Sequence, residues 1–395
     1  MGTILIRGIR QLLTLRGTRG PRRGADQREL GVISEGSLLI RDGVITQVGP
    51  TRRVENLAEA RGALEINAYG RVVMPGFVDS HTHLLSARNE EHTLRTTTAK
   101  VIQAKATAHL ESMARHGTTT VGVQTGFTPD ERAERKAVRV LSALQGKPLD
   151  LVPAFQFQVS GEDAQGIIRG FLAKFRDHIT FADLVWTAAP ADEPLLAHFL
   201  EAARSFGFSS RIHVMAESPS TAITMALTHS VCGITHLEHA IPAEVARLSG
   251  SGMVATLLPC ESFSHGEPAA PARALVDGGV PVALATNFDP GHMQTLSMQS
   301  VMTIACKRMG LSPEEAITAT TINGAHAAGC AHRAGSLEAG KPADLVILNV
   351  SHYADIANHF GVNLVHQTMK RGEFIYQEGK VAQEVRLSRG ERRSA

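Results

Sequence analysis

Cysteine is scarce and scattered in this 395-residue chain: Cys232, Cys260, Cys306 and Cys330 are the whole set, and no two stand in CxxC spacing. That excludes a thiolate zinc ribbon and a dense disulfide framework, and it points to a reducing compartment, read here as cytoplasmic. Aromatics are few, with one Trp and three Tyr, and no basic stripe interleaves with them. No nucleic-acid partner is therefore expected. Charge of one sign is lacking too: 40 Lys and Arg against 38 Asp and Glu leave a formal net charge of +2. No apolar run is long enough to span a bilayer, so no membrane partner is expected. The N-terminal arginines, Arg7 to Arg23, are not followed by an apolar core and a small-residue cleavage site, so no secretory signal is read. Against these shortages stands histidine, with 18 residues. Its imidazole is both a common metal ligand and a base near neutral pH.

The chain has two rhythms. Near its start, Thr3–Ile6, Ser37–Ile40 and Val44–Val48 are strand-like, and Asp42-Gly43 marks a hairpin between the last two. Near its end, Ala343–Asn349 and Glu373–Tyr376 repeat the pattern before a polar tail. These ends predict a small β-sandwich domain, discontinuous over residues 1–70 and 340–395. Between them, apolar strand-like runs alternate with helical stretches. The runs are Val72–His83, Thr118–Thr125, Leu151–Gln158, Ala182–Ala188, Ser210–Glu217, Ile234–His239, Met253–Pro259 and Pro281–Asn287. Eight such runs predict an α/β fold, a parallel (β/α)8 TIM barrel over residues 71–339. A doubly wound open sheet is the alternative, but no Gly-rich dinucleotide fingerprint follows the first strand.

The first run ends in His81-Thr82-His83. Residues i and i+2 of a strand share a face, so two imidazoles point to one side at a barrel mouth, an arrangement that suits a divalent ion. Taken alone, the same motif also closes ordinary surface strands. Three later runs change the balance: one ends at His213 with Glu217 close behind, one at His236 and His239, and one at Asn287 and Asp289. Titratable and polar residues at several strand C-termini form the usual active face of this architecture. His239 sits where a structural role is at least as good a reading.

These motifs resemble the amidohydrolase superfamily, and within it the imidazolonepropionases, ring-opening hydrolases of histidine degradation. The likeness is nearly full length. It runs through Gly20–Gly24, Glu29–Ile33, Met74–Leu84, His116–Thr120, Ala283–Gly291, Leu311–Ala316, Gly335–Leu345 and His359–Asn363. The resemblance implies that His81, His83 and His213 are metal ligands and that His236 orients or polarises the attacked carbonyl. It also implies that Arg88 grips a substrate carboxylate, a task that suits a guanidinium fork. One divalent ion, zinc or iron with manganese as the third choice, and a homodimer are implied in the same way.

The chain departs from the family in its pocket. The family's Asp-x-Asn-Pro-Gly reads Asn287-Phe288-Asp289-Pro290-Gly291. An amide oxygen is a weaker ligand than a carboxylate and takes up no proton near neutral pH. Asn287 is thus expected at the metal edge or against substrate, with Asp289 as base or substrate contact. The family's catalytic Glu falls on Ala216, and Glu217 stands one residue later. Phe127 and Gln158 fall on substrate-binding positions that carry other residues in the family. The leading expectation is a hydrolase opening a C–N bond of a small cyclic amide: an imidazolone-propionate-like ring, a hydantoin or a thio-substituted relative with an acidic side chain. Glu217, His236 and Asp289 are its catalytic residues. Deamination of a ring amidine, or a metal-poor relative that only binds a ligand, is the alternative.

Overall fold

The computed structural model describes residues 2–17, 19–85, 94–126, 130–158, 164–187 and 193–380. The strands fall into two sheets. One is built from both ends of the chain: β1 (Thr3–Leu13), β2 (Val32–Arg41), β3 (Val44–Pro50), β4 (Leu64–Asn67) and β5 (Val72–Pro75), joined by β14 (Leu345–Leu348), β15 (Val365–Lys370) and β16 (Glu373–Gln377). Its order is β16-β15-β14-β5-β1-β2-β3, with β4 alongside β1. The β2–β3 turn at Asp42-Gly43 is the hairpin expected from that dipeptide.

The two ends of this sheet meet. A Cβ on Gly43 would stand 2.6 Å from the carbonyl oxygen of Arg371, in the β15–β16 turn. Ile6, Leu38, Ile40 and Ile45 from one half share a core with Leu345, Ile347 and Met369 from the other. The sheet therefore folds across itself and encloses its own apolar layer, as sandwich packing requires.

The second sheet is the barrel: β6 (Phe77–Thr82), β7 (Thr118–Thr125), β8 (Asp150–Gln158), β9 (Phe181–Trp186), β10 (Ser209–Val214), β11 (Gly233–Thr235), β12 (Val254–Leu257) and β13 (Val282–Leu284). Neighbours pair in chain order, and every ladder is parallel. Closure comes just past β13. Phe288 bridges Thr82, and Thr286 donates its N–H (3.1 Å) and its hydroxyl (2.6 Å) to the Asp79 carboxylate on β6. Helices cover the outside, so most of these strands are buried on both faces and read as continuous apolar runs. The Glu131–Leu144 helix shows why they form. Ala133, Ala137, Val138, Leu141 and Leu144 make one buried face, and Asp130 caps the start by accepting from Arg132 N–H at 2.8 Å.

One expected element divides. The run Val72–His83 is two strands, because Val72–Pro75 pairs with β1 and β14 in the terminal sheet and only Phe77–Thr82 enters the barrel. Gly76 is the hinge, and a Cβ there would lie 2.2 Å from the Thr119 side chain. The two sheets are also joined by charge. Buried Asp150, at the start of β8, accepts from Lys370 (2.8 Å), Arg371 (2.7 Å) and Arg333 (2.7 Å).

Candidate active site

The C-terminal ends of the barrel strands surround a cavity of about 320 Å3, walled by His81, His83, His236, Glu261, Asn287 and Asp289 among others. A larger open groove of about 840 Å3 lies on the terminal sheet beside Arg7, Gln11, Glu35 and His352. The smaller cavity is where imidazoles and carboxylates converge, at the face where this architecture does its chemistry.

His81 closes β6 and His83 follows it, held by its N–H donating to Phe288 O at 2.7 Å. The His81 ring centre is 5.0 Å from that of His83 and 4.7 Å from that of His213 on β10. His236 follows β11, with its ring 6.5 Å from His213. Strand alternation sets His81, His83 and His213 toward one place, and a left-handed turn at His236 (φ 63°), just past β11, brings the fourth ring to them. Burial, reinforced by the neighbouring imidazoles, holds His81 well below its usual range. Burial takes His83 down to about 4, with Asp289 opposing the shift, and takes His236 down to about 3. These three rings are neutral at pH 7.

A charged network lies beneath them inside the barrel. Asp183 on β9 accepts a forked pair from Arg211 on β10, at 3.0 Å from Nε and 2.6 Å from Nη2, and a third bond from His213 Nε2 at 3.2 Å. Burial works against the Asp183 carboxylate, yet Arg211 and His213 hold it below its ordinary range. Gln124 on β7 completes the network. With its oxygen toward His81 Nδ1 (2.9 Å) and Arg211 (3.2 Å) and its NH2 toward Asp183 (3.1 Å), every donor meets an acceptor, and its orientation is assigned on that ground.

This network sets tautomers. Because a carboxylate only accepts, His213 donates from Nε2, and its buried Nδ1 has no partner among the described residues. His81 likewise donates from Nδ1 to Gln124, leaving Nε2 as the lone pair. Partners of this kind orient metal-binding imidazoles. Among the described residues, no three His, Cys, Asp or Glu side chains close on a point tightly enough to hold an ion. To share one, the rings must turn toward each other. In donor type and in their separation from His81, the imidazoles of His81, His83 and His213 nonetheless fit a divalent ion, since two rings on one ion sit roughly 5 Å apart when the metal–nitrogen bonds are about 2 Å.

The carboxylates are arranged differently from expectation. β13 ends at Leu284, and Asn287 adopts a left-handed backbone with φ of 52°, a region where Asn is tolerated better than most residues. The turn brings both Asn287 and Asp289 to the cavity wall. Asp289 accepts from Gly291 N–H at 2.6 Å. Asn287 donates from Nδ2 to Glu261 Oε2 at 2.7 Å. Glu217 is exposed and does not line the cavity. β10 stops at Val214, so alternation no longer governs where Glu217 goes. His239 is exposed as well. Arg88 and Phe127 lie outside the described residues, as does the side chain of Gln158, whereas Gln156 of β8 lines the cavity.

Sequence reasoning passed over Asp183, Arg211, Gln124 and Glu261. The first two carried a signal, since each is a charge inside a strand otherwise buried on both faces. Glu261 had only its place, four residues beyond β12 on the active side of the barrel.

Residues 72–375 match the amidohydrolase family. An imidazolonepropionase of Parabacteroides distasonis is 35% identical over 94% of this chain and 98% of its own length. One of Geobacillus kaustophilus is 34% identical over 96% and 100%. Among solved structures, an N-isopropylammelide isopropylaminohydrolase of Burkholderia multivorans superposes with a TM-score of 0.75 at 18% identity, covering 96% of this chain and all of that one. An adenosine deaminase of Xanthomonas campestris with bound zinc gives 0.71 at 17% identity, covering 99% of each chain. A barrel mouth lined by neutral histidines, a family match over residues 72–375 and nearly full-length relatives of one name agree: the chain belongs to the amidohydrolase family and is an imidazolonepropionase-like hydrolase.

Proposed function

We propose that this enzyme opens a C–N bond of a small cyclic amide by hydrolysis, on an imidazolone-propionate-like ring, a hydantoin or a thio-substituted relative with an acidic side chain. The observation that carries the reading is a cavity sized for one small ring and lined by His81, His83 and His236, with buried His213 packed against His81, in a chain a third identical to imidazolonepropionases throughout. His81, His83 and His213 would hold one divalent ion, zinc or iron in first place. When bound, such an ion activates water or polarises a carbonyl. Three imidazoles do not discriminate among transition metals, so the metal must be read by assay.

The chain's own residues supply the rest. His236, neutral and fixed after β11, hydrogen-bonds the attacked carbonyl and sets the face of the ring presented to water. Asp289, beside His83, borders the ring on the β13 side. Arg88 takes the acidic side chain of the substrate by a two-point contact that lysine does not reproduce. Phe127, where the family carries a phenol, contributes an apolar contact, and the substitution points to a substrate differing from the family's own.

The test is a screen of ring opening on imidazolones, hydantoins and thiohydantoins, each with and without a propionate arm, using protein of measured metal content. Turnover confined to arm-bearing rings supports the reading. Turnover only of ring amidines, with ammonia released, replaces it with deamination. Arg88→Lys should raise KM for acidic substrates and leave neutral analogues nearly untouched.

A further inference from the structure

We propose that Glu261 is the acid–base residue of this active site, standing in for the family's carboxylate at the position after β13, where this chain has Asn287. The inference rests on the reading of the site as a C–N hydrolase and assigns the proton transfers that the reading leaves open.

The argument starts from Asn287. It occupies the position where the family pattern has Asp, and an amide neither takes nor returns a proton near neutral pH. Its NH2 is a donor only, and it is spent on one acceptor: Nδ2 to Glu261 Oε2, 2.7 Å. The residue in place of the missing acid therefore holds an acid brought in from another element, the Pro259–His265 helix that follows β12. The same Glu261 oxygen lies 3.8 Å from His236 Nδ1, beside the residue that faces the carbonyl. Glu261 lines the cavity, and its side chain is 24% exposed, enough to meet a substrate.

The other candidates are placed less well. Glu217 is exposed outside the cavity, and Ala216 carries no acid. Asp289 lines the cavity, but its Oδ1 accepts from Gly291 N–H within its own turn, and its backbone is paired with Met293. Glu238 faces the same His236 nitrogen at 3.9 Å but does not wall the cavity. Burial raises Glu261 above the ordinary carboxylate range, in keeping with a group that must hold a proton between two steps.

The balance is simple. As the water oxygen bonds to the carbonyl carbon, one water proton passes to Glu261. As the C–N bond breaks, Glu261 returns that proton to the ring nitrogen. One water is added overall, and Glu261 ends as it began.

The experiment compares E261Q, E261A, the double variant E261Q/N287D and E217Q, all on a ring the wild type opens, with metal content and melting temperature measured for each. E261Q should lose roughly 10²–10⁴-fold in kcat with metal and fold retained. E261A should be partly restored by added formate, which replaces the lost carboxyl. N287D in the E261Q background should recover about tenfold or more by returning an acid to the position after β13. E217Q should lose far less than E261Q, since Glu217 is exposed and does not line the cavity. A lactone analogue, whose leaving oxygen needs less protonation, should suffer less from E261Q than the lactam. E261Q activity within about threefold of wild type overturns the proposal, as does loss of metal together with activity. If wild type opens none of the rings, the cyclic-amide reading fails and the Glu261 assignment falls with it. An active wild type with an equally active E261Q sinks the assignment alone.

Discussion

At His213 the two ring nitrogens have different surroundings: Nε2 is spent on Asp183, and the buried Nδ1 has no partner among the described residues. The same division at His81 explains why a position in the barrel wall can present a lone pair to the cavity. From this we predict that His81→Ala and His83→Ala each abolish turnover and lower metal content in parallel, read by elemental analysis and a ring-opening assay. Activity lost at full metal occupancy would deny them a ligand role. Asp183→Asn is a different kind of lesion. It leaves the Arg211 guanidinium, 6% exposed, without its counter-charge. Breaking one partner of a buried pair costs about 3–5 kcal/mol. The urea midpoint should fall accordingly, and an unchanged midpoint would show that Gln124 or water takes over. How much of this was legible depends on period. His81, His83 and His213 converge because strand alternation carries a motif to a face, whereas His236 joins them through a left-handed turn past β11. Glu217 was misplaced because that rule ends with β10. Glu261 escaped because its meaning lies in a bond to Asn287 across a loop, which no spacing records.

Elements obey coarser rules, and these were mostly visible. Eight apolar runs, each followed by a helical stretch, suffice for a closed parallel barrel, and helices such as Ala99–Arg115, Glu131–Leu144 and Glu193–Ser205 fill the stretches between them. The break between β5 and β6 was not visible, since Val72 to Thr82 is buried throughout and hydrophobicity does not change where the chain crosses from one sheet to the other. The crossing depends on close backbone approach. Next to it, a Cβ on Gly122 of β7 would meet the Ser80 carbonyl oxygen at 2.3 Å, and a backbone atom cannot swing aside as a side-chain tip can. Gly122→Ala is therefore expected to cost about 1–3 kcal/mol through overpacking. Gly62→Ala, with nothing within 4 Å, serves as the neutral comparison in the same denaturation series. Equal midpoints for the two would mean that β6 and β7 can separate at no cost.

Over the whole molecule, the buried titratable groups oppose one another. His81, His83 and His236 resist protonation when folded, so the unfolded chain takes up protons first as pH falls below about 6.5, and stability drops. Asp79 and Glu238 behave in the opposite sense. Burial pushes them up to about 6 and about 7, so the folded chain takes up protons before the unfolded one does, and stability rises over the same range. The two sets cancel only in part between pH 7 and 5: three histidines outweigh two acids, so the metal-free protein should show a modest net loss of stability as pH falls. A difference measurement exposes one side. Replacing His236 by Asn removes a site that binds a proton only when unfolded, so the variant should gain on wild type by about 1.4 kcal/mol for each pH unit below 6.5. A constant difference from pH 7 to 5 would mean that His236 protonates normally in the folded state.

The terminal sheet has a consequence for how the protein is made. β5 lies between β1, which precedes it, and β14, which begins about 270 residues later. A ribosome adding roughly 5–20 residues each second leaves that edge unpaired for something between a quarter-minute and a minute. Through that interval β5 offers a nascent chain a buried, wholly apolar strand with an open side, the kind of edge to which chaperones and other nascent chains bind. Nascent chains stalled before Leu345 should therefore be far more prone to aggregate than full-length chains released under the same conditions. That difference would arise even though the entire barrel, with every residue of the cavity, had already been translated.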